Sequence, residues 1–161
     1  MKIIIAYSSK YGTTKKVAEQ ISQSLSNHQA EVSDFKSITS DKLAKSDFVV
    51  LGTSIHIGKS SKSFIEFCNN NIETLLSKKL GLFMCGLEKE KFAEEFAKAF
   101  PKELINHSSI NLIAGGEIIY NKLNFLERII LQKMKGVTTD IVELNETEIV
   151  QFAEKINKIS L

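Results

Sequence analysis

The chain has 161 residues, 43% of them hydrophobic and 25% charged, with one proline and a net charge of +2. That balance excludes a disordered or fibrous chain and predicts one domain over residues 1–161, long enough to bury a sizeable core. The charge is too mild to argue for nucleic acid and no run approaches the roughly 20 apolar residues of a membrane span, while Cys68 and Cys85 lack the spacing of a zinc site or disulfide scaffold.

Short apolar runs alternate with helical periodicity along the chain, the pattern of a parallel sheet wrapped by helices. "KIIIAYS" from Lys2 predicts a buried strand. Its apolar stretch is too short for a secretory leader, and the expected location is the cytoplasm. Val17, Ala18, Ile21 and Leu25 recur at three- and four-residue spacing and predict the next helix. "EVSDF" from Glu31 alternates like a strand near a sheet edge, whereas "DFVVLGTS" from Asp47 reads as a central strand. Phe64, Phe67, Cys68, Ile72 and Leu75 mark the helix after it. "KLGLFMC" from Lys79 is the fourth strand, and Phe92, Phe96, Ala97 and Phe100 lie on a helix that stops near Pro101. In the fifth strand, "INLIAGGEII" from Ile110, the pair Gly115-Gly116 predicts a bulge or break. Asn145 and Glu148 read as a capping pair ahead of Ile149, Phe152, Ala153, Ile156 and Ile159.

The alternation predicts an α/β fold: a doubly wound five-stranded parallel sheet in the order 2-1-3-4-5 with right-handed crossovers. Ligands of such a sheet sit at the carboxyl ends of strands 1, 3 and 4. Residues 120–144 are extra to this minimal fold and form a helical insertion before the last helix. Phe125, Leu126, Ile129, Ile130 and Met134 make an apolar stripe there, among Lys122, Arg128, Lys133 and Lys135. The stripe predicts a helix packed on the core; the alternative is a basic amphipathic helix at residues 123–135, lying on a membrane surface or partner. Cys68 and Cys85 are expected to be reduced core thiols, and no metal site is expected.

The first of the three loops is "SSKYGTT", Ser8 to Thr14. It lacks the G-x-x-x-x-G-K-[ST] pattern of a triphosphate loop. Gly12 offers a positive φ, Ser9, Thr13 and Thr14 offer hydroxyls, and a helix start offers free amides, which together suit one compact phosphate monoester. A plain capped turn is the alternative, but one hydroxyl would suffice for it.

"YSSKYGTTKKVAE" resembles the phosphate loop of flavodoxins. The resemblance implies a flavodoxin-like fold and flavin mononucleotide (FMN) as cofactor, with Ser9, Lys10, Tyr11, Gly12, Thr13 and Thr14 around its phosphate. It further implies that the second loop, "GTSIHIG", runs along the flavin ring. There Thr53 and Ser54 would donate hydrogen bonds, Ile55, His56 and Ile57 would cover a ring face, and Gly58 would turn the chain. His56 is the candidate catalytic residue, as a proton donor titrating near neutral pH, against the alternative of a surface histidine. The third loop, "CGLEKEK", would grip the ring edge with Cys85, Gly86, Leu87 and Glu88, Gly86 admitting backbone amides to the pyrimidine side.

Within that superfamily, "LGTSIHIGKSSKSFIEF" from Leu51 and "AGGEIIYNKLNFLERIILQKMKGVTTD" from Ala114 resemble the menaquinone-dependent protoporphyrinogen dehydrogenases. The implied activity passes electrons from a porphyrinogen-like donor through flavin to a quinone, at the inner face of the cell membrane. The slightly basic charge suits a donor with two propionates. The chain departs from that family in having Ile57 where an aromatic is expected and in the short loop between Leu87 and Lys91. An electron carrier with no substrate of its own is the alternative.

Overall fold

The computed structural model describes residues 1–56 and 58–159. In β1 (Lys2–Tyr7), Ile3 and Ile5 face one side and Ile4 and Ala6 the other, as a period of two requires, and all four are buried. A strand buried on both faces belongs inside a sheet, and β1 pairs in parallel with both β2 (Gln29–Asp34) and β3 (Phe48–Ser54). β4 (Lys79–Cys85) and β5 (Ile110–Ile113) complete a five-stranded sheet in the order β2-β1-β3-β4-β5.

Helices cover both faces. On one, α1 (Thr13–Gln23) and α8 (Glu146–Ile159) pack Val17, Ala18, Ile21, Phe152 and Ile156 over Ile3, Ile5, Val50 and Phe83. On the other, α2 (Ser40–Ala44), α3 (Lys62–Asn70), α4 (Ile72–Leu76), α5 (Phe92–Ala99) and α6 (Lys102–His107) flank the sheet, with Leu43, Phe64, Leu75, Ala99 and Leu104 over Val49, Leu51, Leu82 and Met84. The single helix expected over Phe64–Leu75 is broken at Asn71, whose backbone leaves the helical region (φ −113°, ψ 16°). Cys68 and Cys85 are free and buried, and burial pushes both thiols up to about 12, so they stay protonated and inert.

The fifth strand does break at the glycine pair. Gly115 has φ +76°, and a Cβ there would sit 1.9 Å from the Glu143 carbonyl oxygen. Beyond it β6 (Gly115–Ile118) leaves the main sheet and pairs antiparallel with β7 (Ile141–Leu144). The insertion is therefore a two-stranded ribbon closed by α7 (Phe125–Lys135), and not helical alone. The Tyr120 N–H donates to Asp140 Oδ1 at 2.7 Å and ties its two ends together.

The expectation that the Phe125–Met134 stripe packs on the core is overturned. Phe125 is 76% exposed, Leu126 68% and Met134 72%, while α7 buries Glu127 and Leu131. The capping box of Asn124 and Glu127 fixes the start of α7, and contacts made by Glu127 itself set the face turned inward.

Candidate functional site

The carboxyl ends of β1, β3 and β4 surround a cavity of about 280 Å³, roofed by the insertion. Ser9, Lys10, Tyr11, Thr13 and Thr14 line it from the first loop. Gly12 has φ +100° and is the N-cap of α1, a helix whose start receives no side-chain cap. Thr39, Ser61 and Asn124 cap α2, α3 and α7, whereas α4, α5 and α6 start without a side-chain cap as α1 does. The hydroxyls of the first loop are used otherwise: Ser9 Oγ accepts from the Gly12 N–H at 3.0 Å, and Thr13 Oγ1 lies 3.5 Å from Glu117 Oε2. Thr14 Oγ1 is buried with no hydrogen-bond partner among the described residues, the Cys85 thiol beside it falling outside hydrogen-bond geometry. An uncapped helix start next to an orphaned hydroxyl is a set of donors without an acceptor.

From the second loop, Ser54, Ile55, His56 and Gly58 line the cavity. Thr53 is not among the lining residues; it is buried in β3 and its Oγ1 has no partner among the described residues. Ile57 lies outside the described residues. From the third loop Cys85, Gly86, Leu87 and Glu88 all line the cavity. The Gly86 N–H is already committed to the Gly115 carbonyl at 2.9 Å, which removes it from the amides available to a ligand.

Glu127, only 5% exposed, joins the loops. Its Oε1 accepts from Lys10 Nζ at 2.5 Å and meets His56 Nε2 at 2.9 Å, and its Oε2 accepts from the Tyr11 hydroxyl and, at 3.0 Å, from the Asn124 N–H. Burial pushes its pKa up, but the bonds from Lys10, Tyr11, Asn124 and His56 together bring it down to about 2. The carboxylate is thus ionised, and the His56 nitrogen facing it carries a proton. At the other end of α7, Lys135 Nζ lies 2.8 Å from Glu88 Oε1. That contact and a second lysine, Lys91, hold the Glu88 carboxyl down at about 2. The insertion therefore grips all three loops.

Sequence reading missed Glu117 and Glu127, both of which reach the first loop. Glu117 Oε1 pairs with Lys16 Nζ at 2.5 Å, so that its charge is offset. The Asn124-x-x-Glu127 pattern is a capping-box signature legible in the sequence, but its second use, bonding residues more than 70 positions away, is tertiary. Among the described residues no cluster of His, Cys, Asp or Glu could hold a metal ion.

Residues 4–144 match the family described as the flavodoxin domain. The chain belongs to that family. The chain is 27% identical over 147 residues to a protein of Leishmania major named protoporphyrinogen IX dehydrogenase [quinone], covering 85% of this chain and 63% of that relative, so it spans less than two thirds of the relative's length. Among solved structures it superimposes on a short-chain flavodoxin associated with a bacterial microcompartment, at a TM-score of 0.66 and 13% identity, covering 100% and 99% of the two chains. It also superimposes on a Fusobacterium nucleatum flavodoxin bound to flavin mononucleotide, at 0.54 and 14% identity, covering 98% of each. These likenesses establish the flavodoxin fold for this chain.

Proposed function

We propose that the flavodoxin domain binds FMN and acts as an oxidoreductase that takes electrons from a porphyrinogen-like donor and returns them to a quinone. The observation that carries the FMN reading is the first loop, where three hydroxyl residues leave the start of α1 uncapped and Thr14 Oγ1 unpaired. Free helix-terminal amides beside an unsatisfied hydroxyl are what a phosphate dianion needs, and a Ser/Thr loop serving only its own helix would cap it. The Fusobacterium nucleatum neighbour, bound to flavin mononucleotide, supports the cofactor, and the name of the Leishmania major relative supports a porphyrinogen donor and a quinone acceptor.

In this reading Ser9, Thr13, Thr14 and the first amides of α1 hold the phosphate, and Lys16 offsets Glu117 beside it. Ser54, Ile55 and His56 on one side and Cys85 to Glu88 on the other enclose the ring. The bound flavin supplies the redox chemistry, accepting and releasing two reducing equivalents. Glu127 holds His56 by its Nε2 proton, orienting the imidazole at the cavity wall as a proton relay. Ile130 and Leu131 line the cavity from above and exclude water there. The exposed face of Phe125, Leu126 and Met134, with Lys122, Arg128, Lys133 and Lys135 near it, suits peripheral contact with an anionic bilayer that holds the quinone. No helix among the described residues is long and apolar enough to cross a membrane.

The visible spectrum of purified protein before and after FMN addition tests the cofactor; a colourless sample that stays so refutes it. Anaerobic turnover of protoporphyrinogen with a quinone then tests the reaction. A protein that binds FMN without turnover above a protein-free FMN control refutes the porphyrinogen reading and leaves the electron carrier as the reading to test.

A further inference from the structure

Leu126, Ile130 and Met134 follow one another at four-residue spacing on α7 and so share one stripe of the helix. They are 68%, 36% and 72% exposed, with Phe125 at 76% beside the first of them. Ile130 and Met134 also line the cavity, next to Leu123 and Leu131, whereas Leu126 and Phe125 do not. The stripe therefore begins at the cavity wall and runs out onto the surface, covering about 12 Å of helix between residues 126 and 134. A row of exposed apolar side chains that is continuous with a cavity marks a surface that a ligand covers.

Charge decides which ligand that is. Of the α7 residues lining the cavity, Ile130, Leu131, Met134 and Lys135, only the last is charged, and Glu88 Oε1 holds its ammonium at 2.8 Å. These four offer no free cation to the propionates of a porphyrinogen-like donor. They suit an uncharged ligand with a long apolar part, which of the two reaction partners is the quinone. The flexible thioether of Met134 adapts to an apolar chain lying over it. We propose that this stripe seats the tail of the acceptor: the quinone ring enters the cavity past Ile130 and Met134, and its apolar tail lies along Met134, Ile130 and Leu126 towards the bilayer. The inference rests on the quinone reading above and adds the segment that selects a tailed acceptor.

The test uses the oxidised, FMN-loaded protein and two soluble quinones with the same ring, one bare and one carrying a short prenyl tail, with dissociation constants read by equilibrium dialysis. Burial of about two methylene groups is worth about tenfold in affinity, so wild type should bind the tailed quinone at least about tenfold more tightly than the bare one. Leu126→Gln with Met134→Gln places neutral polar groups at two positions already in solvent, which leaves the fold intact, and should cut that preference to about threefold or less. Val150→Gln, at an apolar position 45% exposed on α8, should keep the full preference. A double variant with the wild-type preference overturns the proposal. So does a preference that Val150→Gln lowers as much, because the tail then adheres to any apolar surface. A wild-type chain that is dimeric by light scattering, and monomeric as the double variant, overturns it too, the stripe being covered by a second copy. A wild-type chain that binds both quinones equally overturns this inference alone, whereas one that binds neither, and whose reduced form neither reoxidises, refutes the quinone reading.

Discussion

Replacing Glu127 by glutamine removes the charge that joins the insertion to the first and second loops. The carboxylate is 5% exposed and its pKa stands at about 2 against an ordinary 4.5. At about 1.4 kcal/mol per decade, that displacement corresponds to about 3 kcal/mol of folded-state stabilisation of the ionised form. The Lys10 side chain is 54% exposed, and water screens its share, so about 2 kcal/mol is the figure to expect at neutral pH. The pKa is depressed, so this stability is complete above 4.5, where the unfolded carboxyl is ionised too, and is lost as pH falls from there towards 2. Urea denaturation of wild type and Glu127→Gln at pH 7, 4 and 2.5 measures it. The difference should be about 2 kcal/mol at pH 7 and should shrink by more than half at pH 2.5. A difference below about 0.5 kcal/mol at pH 7, or one that does not change with pH, refutes the assignment of Glu127 as the ionised hub of the loops.

Thr14→Val removes the unpaired hydroxyl with little change of shape, and should weaken FMN binding by about tenfold while leaving riboflavin, which lacks the phosphate, unaffected. Glu117→Gln removes a negative charge beside the first loop and should raise FMN affinity by a few-fold relative to riboflavin, an effect that salt diminishes. Gly115→Ala forces a Cβ to within 1.9 Å of the Glu143 carbonyl at a φ of +76°, and should cost about 2 kcal/mol or more, read as a lowered Tm. Phe125→Glu with Leu126→Glu should abolish sedimentation with anionic, quinone-containing vesicles while thermal stability holds, because both side chains are already in solvent.

The main sheet was legible because a strand buried on both faces has to be apolar at every position. "KIIIAY", "FVVLG" and "LGLFMC" cannot be placed elsewhere, and their alternation with helices leaves a parallel sheet with its ligand end at three known loops. The break after Ile113 was legible too, since only glycine meets a positive φ against a neighbouring carbonyl at no cost. Ser9, Lys10, Tyr11, Thr13 and Thr14 could be placed together at the cavity because glycine, hydroxyls and a helix start are consecutive in the chain.

The insertion could not be read in that way. Its helical spacing showed that α7 would form and be amphipathic, but spacing alone does not say which face turns inward. That was decided by Glu127, whose partners Lys10, Tyr11 and His56 come from two other loops. The apolar stripe lost to a carboxylate because four converging donors cover the cost of burying its charge. Glu95 is the reverse case, a glutamate indistinguishable in sequence from Glu94 beside it. Glu94 faces solvent and pairs with Lys98, while Glu95 Oε2 is buried with no donor among the described residues, Glu88 holding the two lysines nearby. Periodicity within one segment determined the sheet, the helices and the first loop, whereas charges meeting from distant segments were placed by tertiary structure alone.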